Sequence, residues 1–509
     1  MTISDLEGIQ FVPGADGERS TTRVNKAICS AALEPVEPLA AQAVRNEANW
    51  RKQYPHHMRA LTEAGIAHPA AALTLAEAGL AAAWQQIEFV RNGQARPFAE
   101  ALDDPSPNAF ATVEVQGQGS PEVEPWSLPY RGQQLRGAAL LAQLARWEEA
   151  GIIEPSHARA LRRVNEHPEW FDLSDRTLVL LGAASEAGPL AMLARWRATI
   201  VAVDLPDQAR WDKLVRLVSE GNARLIAPVS QPVAPGTPTA DWAGLAGANL
   251  LTQTPELIAW LRTLEQPLDL AAIAYLDGER HLRVSLAMDA IIARMSAAQP
   301  ATTLMYMATP ADVFAVPEEP ARIAMQRFAS RGLPGRLFTQ IGRTLSGGRL
   351  LQPHVTTLRD GGNGRHYGIV DGIVVEQGPN YALAKRLQQW RAVTARAAGQ
   401  RVAINVTPST MTQSVIKNPA LKAGYNGADR FGIEIFAPET TRAIMAALWV
   451  HDLRCRHCVA DPGVPLVHPL ELLMDSANHG GLWRIGFLPR SVLPFAALIG
   501  YIRGKLGRT

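Results

Sequence analysis

The chain has 509 residues, 47% of them hydrophobic and 19% charged, with a formal net charge of +2. That length can hold two or three domains and bury a large core, and the near-balanced charge gives no electrostatic case for nucleic acid or an anionic membrane as partner. No apolar run reaches the ~20 residues that span a bilayer, and Met1–Arg23 has no signal-peptide core, so a cytoplasmic protein without a transmembrane segment is expected.

In chain order, residues 1–40 show little periodicity and predict an irregular arm. Residues 37–95 are rich in Ala, Leu, Glu and Arg, with apolar positions at helical spacing through Leu73–Val90, which predicts a small helical unit. Ala101–Tyr130, rich in Pro, Gly, Ser and Glu, reads as a linker or extended loop. Helices are expected at Gln133–Ala150 and Pro155–Val164. The expected organisation is an arm and helical region over 1–130, a helical connector over 131–172, and an α/β domain over 173–509.

That domain begins with Arg176–Asp204. An apolar strand (Thr177–Leu181) leads into a small-residue loop (Gly182–Gly188), a helix (Pro189–Arg197) and a second apolar strand (Thr199–Val203) that ends on Asp204. This is a β-loop-α-β unit of the dinucleotide-binding kind. Small residues let the backbone approach phosphate oxygens, and the first turn of the helix directs N–H groups and a dipole at them. Asp204, 22 residues after Gly182, stands where a carboxylate would hold a ribose 2′-OH. The middle glycine of the loop is absent: Ser185 or Glu186 occupies its place, depending on spacing, and Glu186 would repel a pyrophosphate unless it turned outward. An ordinary βαβ unit with no dinucleotide is the alternative.

Beyond Asp204, helix Gln208–Glu220 precedes the apolar segment Arg224–Val229, and Gly247–Leu251 sits where a third strand should end. Helix Pro255–Leu264, strand Leu268–Tyr275, helix Val284–Ser296 and strand Thr302–Ala308 follow. This alternation predicts a parallel sheet covered on both faces. Asp312–Gln377 is too long for a simple connection and reads as an insertion on the substrate side, in the manner of a lid. Helix Asn380–Ala398, strand Arg401–Val406 and helix Pro438–Val450 resume the pattern. Cys455 and Cys458 form C-R-H-C, with His457 inside and His451 just before. A metal site needs four ligands and there is no second CxxC, so reduced thiols in a structural loop, with no metal, are expected. The apolar tail, Ser491–Tyr501, predicts a docked terminal element.

Tyr381 and Lys385 fall on one face of the helix after the insertion. A nearby ammonium would lower the phenol pKa from its usual value near 10 and fit it to exchange a proton with a carbonyl or alcohol oxygen. Tyr501 and Lys505 share the spacing but lack the context.

With these residues in view, Arg176–Val450 resembles the short-chain dehydrogenase/reductase family. Gly182 and Gly188 match the ends of its glycine loop, Asp204 its NAD-selecting acid, Asn249 its polar residue near adenine, and Tyr381 and Lys385 its catalytic pair. Arg401–Thr412 is similar to its N-x-x-P-G-x-x-x-T segment, with Pro408 and Thr412 in place and Ser409 for the glycine. The family's helix asparagine is Ser285 here, and its catalytic serine is Thr309, which precedes Tyr381 by 72 residues rather than about a dozen. The resemblance implies a doubly wound, Rossmann-like parallel sheet with an N-terminal helical region. It also implies NAD as cofactor, with NADP possible because Arg210 and Lys213 follow Asp204, and a small carbonyl or alcohol substrate. The apolar surroundings of the insertion and tail point to a hydrophobic one. A homo-oligomer is expected. A dinucleotide-binding sensor or scaffold without turnover is the alternative from a different class.

Overall fold

Thr177–Leu181 and Thr199–Val203 are almost wholly apolar, the pattern of strands covered on both faces, and they lie side by side in the middle of a seven-stranded sheet. The computed structural model describes residues 6–265 and 267–505. The sheet strands are β1 (Ala111–Gln116), β2 (Thr177–Leu181), β3 (Thr199–Val203), β4 (Arg224–Val229), β5 (Asp269–Ala272), β6 (Thr303–Ala308) and β7 (Val402–Val406). Their spatial order is β7-β6-β5-β2-β3-β4-β1. Strands β2 to β7 pair in parallel, and β1 runs antiparallel along the β4 edge. The chain works outward from β2 to β4, then returns to the other side of β2 to lay down β5, β6 and β7. The strand order therefore reverses between β2 and β5, where a doubly wound sheet opens a crevice at its carboxyl edge.

Side chains alternate across the sheet. Val179, Leu181, Val201 and Val203 enter one apolar cluster, and Leu178, Leu180, Ile200 and Ala202 the other. The first face is covered by helices Glu279–Ala298 and Pro379–Ala397, backed by Thr21–Leu33, Trp50–Ile66 and Pro69–Gln85. Helices Gly137–Glu149, Pro155–Glu166, Gln208–Ser219 and Pro438–Arg454 cover the second. The N-terminal helices thus share a core with one face of the sheet.

Several local expectations fail for identifiable reasons. The expected N-terminal arm holds a strand, Gly8–Phe11, which pairs antiparallel with Ile87–Arg91 and so ends the helix expected through Val90 at Gln85. The strand is pinned by the bond from Ile9 N–H to Leu251 O and from Arg283 Nε to Ile9 O. The expected linker contains β1, whose exposed face carries Glu114 and Gln116, so its polar composition marks an edge strand rather than a loop. The third parallel strand is β4 itself, and Gly247–Leu251 lies in the loop beyond it. Most consequential is the helix expected at Pro189–Arg197. It is a single turn, Leu190–Leu193, and the chain leaves it through Arg197 at φ +60°.

The insertion has its own three-stranded antiparallel sheet, from Val313–Pro317, Leu358–Asp360 and His366–Asp371, and two helices, Glu318–Ala329 and Leu333–Leu345. It is anchored to the N-terminal region: Thr62 Oγ1 donates to Val313 O and Tyr54 Oη to Val374 O. The apolar tail forms helix Pro489–Lys505, which packs on Pro419–Asn426 with Gly427 and Gly500 at the points of closest backbone approach. No described helix is long and apolar enough to cross a membrane.

Candidate functional site

The carboxyl edge of the sheet gathers most of the residues singled out from the sequence. Thr309 directly follows β6, and Tyr381 lies in the first turn of helix Pro379–Ala397, which packs against that strand. The Thr309 side chain lies beside the Tyr381 phenol, near enough to act on its ionisation, so the insertion loops away from the site and returns the chain to it. Lys385, one turn further along, donates to Met307 O at 3.3 Å and Gln388 Oε1 at 3.2 Å. Gln388 in turn reaches Ala272 O at the end of β5.

The electrostatics differ from the expectation. Tyr381 has its pKa raised, by burial first, with Tyr275, Tyr425 and Asp312 adding to the rise and Thr309 opposing it. Lys385 does not depress it. Instead burial pushes the Lys385 ammonium down to about 8, against the pull of Asp312. Asp312 is itself committed elsewhere: it pairs with Arg386 at 2.8 Å and accepts from Gln389 Nε2 at 2.7 Å. Lys385 is thus a lysine with a near-neutral titration and only uncharged hydrogen-bond partners.

Two residues of this cluster were not singled out from the sequence. His281, in the first turn of Glu279–Ala298, stacks on Tyr381 with ring centroids 5.2 Å apart and planes 19° apart. Tyr275 meets the same ring edge-on at 6.2 Å. Leu276 N–H points at His281 Nδ1 at 3.5 Å, which leaves the proton on Nε2. Burial holds His281 neutral, with its pKa pulled down to about 3. Ser285 is one helical turn beyond it. Among the described residues, His281 Nε2 and Ser285 Oγ are buried with no protein hydrogen-bond partner. A histidine beside a tyrosine across 100 residues leaves no mark in a sequence pattern, and the helix was expected to start only at Val284.

The loop expected to hold a dinucleotide is less well equipped. Gly182 has φ +101°, and a Cβ there would lie 2.5 Å from Ala274 Cα. The glycine is required by the turn and by the chain leaving β5. Gly188 is close-packed too, with a Cβ meeting Ser185 O at 3.0 Å and Ile273 Cδ1 at 3.2 Å. Ser185 N–H bonds back to Gly182 O. Asp204 accepts from Ala184 N–H at 2.7 Å and Leu205 N–H at 2.8 Å, and pairs with Arg210. A carboxylate offers about four acceptor positions, so one remains. Glu186 turns outward, as its charge requires, and accepts from Gln413 N–H at 3.1 Å. That bond ties the loop after β2 to the loop after β7, with the ends of β5 and β6 between them. Pro408 and Thr412 belong to this second loop, Thr412 at the residue before Gln413. Asn249 lies beside Asp204, since Ala248 N–H bonds to Asp204 O, but its Oδ1 is held by Leu251 N–H at 2.9 Å. Tyr501 and Lys505 sit on the exposed face of the terminal helix.

No family model matches the chain, and no curated protein matches it.

Proposed function

We propose that the chain is an NAD(H)-linked oxidoreductase of the short-chain type, on a Rossmann-like sheet, acting on a small apolar carbonyl or alcohol. The observation that carries this is the Tyr381–Thr309 hydroxyl pair at the carboxyl edge, beside the point where the strand order reverses. The residues present can accommodate the cofactor. Asp204 keeps one acceptor position for a ribose hydroxyl, and the partnerless His281 Nε2–H and Ser285 Oγ suit a polar ligand or water in front of Tyr381. The single-turn helix offers a pyrophosphate only a few N–H groups and little dipole, so Gly182–Gly188 would hold it by backbone contact alone.

When bound, the nicotinamide supplies or accepts the hydride. Tyr381 gives its proton to the substrate oxygen in reduction, or takes one in oxidation, while Thr309 donates to the same oxygen and fixes its direction. The raised Tyr381 pKa suits a group that stays protonated in the resting site and acts as an acid. Lys385, titrating near 8, is placed to replace that proton through the polar cluster and to bond a ribose hydroxyl. His281 holds the phenol ring in place by stacking.

A second reading, a dinucleotide binder without turnover, is favoured by the engagement of Asp204 with Ala184 and Arg210. One experiment separates the two: NADH binding followed by fluorescence, with turnover measured on a panel of apolar ketones and alcohols. The enzyme reading expects micromolar binding, turnover, and a loss of about 10²–10⁴-fold in Tyr381→Phe. Binding without turnover selects the second reading, and no binding of either dinucleotide removes both.

A further inference from the structure

The second face of the sheet carries a cluster that the chemistry above does not use. Helix Pro438–Arg454 ends on His451 and Asp452, and Cys455 follows at its C-cap, where its N–H bonds to His451 O at 2.7 Å. The chain then turns through Arg456 and His457 to Cys458. One ligand atom each from His451, Asp452 and Cys458 lies within 4.8 Å of the others, and among the described residues no other group of His, Cys, Asp and Glu does this. His451 Nδ1 bonds to Asp452 Oδ1 at 2.9 Å, and the Cys455 thiol lies beside the same ring. All four side chains are buried, with residue exposures of 2–7%.

The backbone beside Cys455 already favours a thiolate. His457 N–H points at Cys455 Sγ at 3.4 Å, two residues on. Cys458 Sγ lies 3.5 Å from Cys455 O, and Asp461 N–H closes the turn on Cys458 O at 3.0 Å. The surrounding side chains hold the donors in place, as supporting groups do at built metal sites. Asn405 Nδ2 donates to Asp452 Oδ2 at 2.7 Å, and Arg401 Nη1 bonds to Asp452 O and Cys455 O at 2.7 and 3.0 Å. Arg396 fastens the far side of the turn through Val459 O and Asp461 O.

We propose that His451, Asp452, Cys455 and Cys458 bind one divalent cation of the zinc class as a closed structural site. Two sulfurs, one imidazole and one carboxylate are a donor set such an ion prefers, at about 2.3 Å for sulfur and 2.0–2.2 Å for nitrogen and oxygen. Donors around a tetrahedral ion stand about 3.5 Å apart, so His451, Asp452 and Cys458 close by roughly an ångström, and Cys455, outside that group of three, swings in from the C-cap to complete the set. Of the four Cys and His residues in this segment, His457 is exposed, which leaves three usable ligands. The fourth is Asp452, an ordinary helical aspartate until the fold turns it inward. The ion would clip the end of helix Pro438–Arg454 to β7 through the 455–461 turn, and no open coordination position or route to Tyr381 is needed.

The test uses cobalt as the probe on the full reduced chain after chelation. The expected result is uptake of one Co²⁺ per chain, displaced by Zn²⁺, with thiolate-to-cobalt charge-transfer bands and the intense d–d bands of a tetrahedral ion. The chain has three cysteines, so Cys29→Ala keeping those bands assigns them to Cys455 and Cys458 even if variants at the site misfold. Asp452→Asn and Cys458→Ser should weaken uptake at least tenfold. No uptake overturns the proposal, as do uptake without thiolate bands and bands that persist in Cys458→Ser. A Cys455–Cys458 disulfide that forms in the presence of zinc overturns it as well.

Discussion

Glu186 and Arg210 each place a charge where a dinucleotide would bring the opposite preference into play. Glu186 is exposed and held by one bond to Gln413 N–H. Glu186→Gln removes a negative charge beside the expected pyrophosphate and leaves an acceptor for the same N–H. NADH affinity should rise several-fold at low salt and less at high salt, because exposed charges are screened; titration at two ionic strengths checks this. Arg210 neutralises Asp204 and so weakens the repulsion of a 2′-phosphate. Arg210→Ala should therefore sharpen the preference for NADH over NADPH, read as the ratio of the two dissociation constants. A ratio that moves toward NADPH would show that Asp204 does not face the ribose. Lys385 supplies a pH signature at the same scale. Its ammonium is pushed down to about 8, so a pH profile of turnover should show an inflection near that value. Lys385→Met should abolish the inflection as well as lower the rate.

At the level of elements, the alternation of apolar strands with helices from Thr177 onward was plain in the sequence, and six parallel strands follow it. What misled was composition without partners. β1 has polar residues because it is an edge strand, and Gly8–Phe11 is a strand only because Ile87–Arg91 is there to receive it. The Leu190–Leu193 turn begins as a helix should, with Pro189 and small residues, yet Ala194 O is taken by Asn222 and Ala223 N–H from the loop before β4. Local propensity lost to that tertiary hydrogen bonding. For the candidate site, Tyr381 and Thr309 were legible through their order along the chain, whereas His281 and Asp452 acquire their surroundings only through packing. Gly182 was singled out for a phosphate, but the structure assigns it a second task. At φ +101° and with Ala274 in the way, Gly182→Ala should destabilise the fold by roughly 1–3 kcal/mol from backbone strain alone, whether or not a cofactor binds. Urea unfolding of the two proteins without ligand measures this. An unchanged midpoint would show that the β2–β5 junction can yield.

Across the whole molecule, buried neutral histidines join the layers. His157 bonds to Ser476 O and ties helix Pro155–Glu166 to the C-terminal segment. His354 accepts from Asp371 N–H within the insertion, and His281 on helix Glu279–Ala298 stacks on Tyr381 of helix Pro379–Ala397. Burial lowers His157 to about 4, and His281 and His354 to about 3. In the unfolded chain each takes a proton near pH 6.5. Between pH 6.5 and the folded values the unfolded chain therefore binds more protons than the folded one, so stability rises with pH through that window. It is fully present above about 6.5 and is lost as pH falls toward 4 and below. Each full shift is worth about 3–5 kcal/mol, a large fraction of ordinary domain stability. Glu154 adds to the lower part of the same window. His479 and Arg484 hold its carboxylate below the usual range, so its contribution is present above about 4.5 and disappears as pH falls through its folded value. The urea midpoint should decline steadily from pH 6.5 to 4.5, beginning well above the pH at which exposed carboxylates titrate. His354→Gln, whose side-chain amide can still present an acceptor to Asp371 N–H, should make that decline shallower. A midpoint flat over this range would mean that these histidines reach water in the folded protein and that the layers are joined by apolar contact alone.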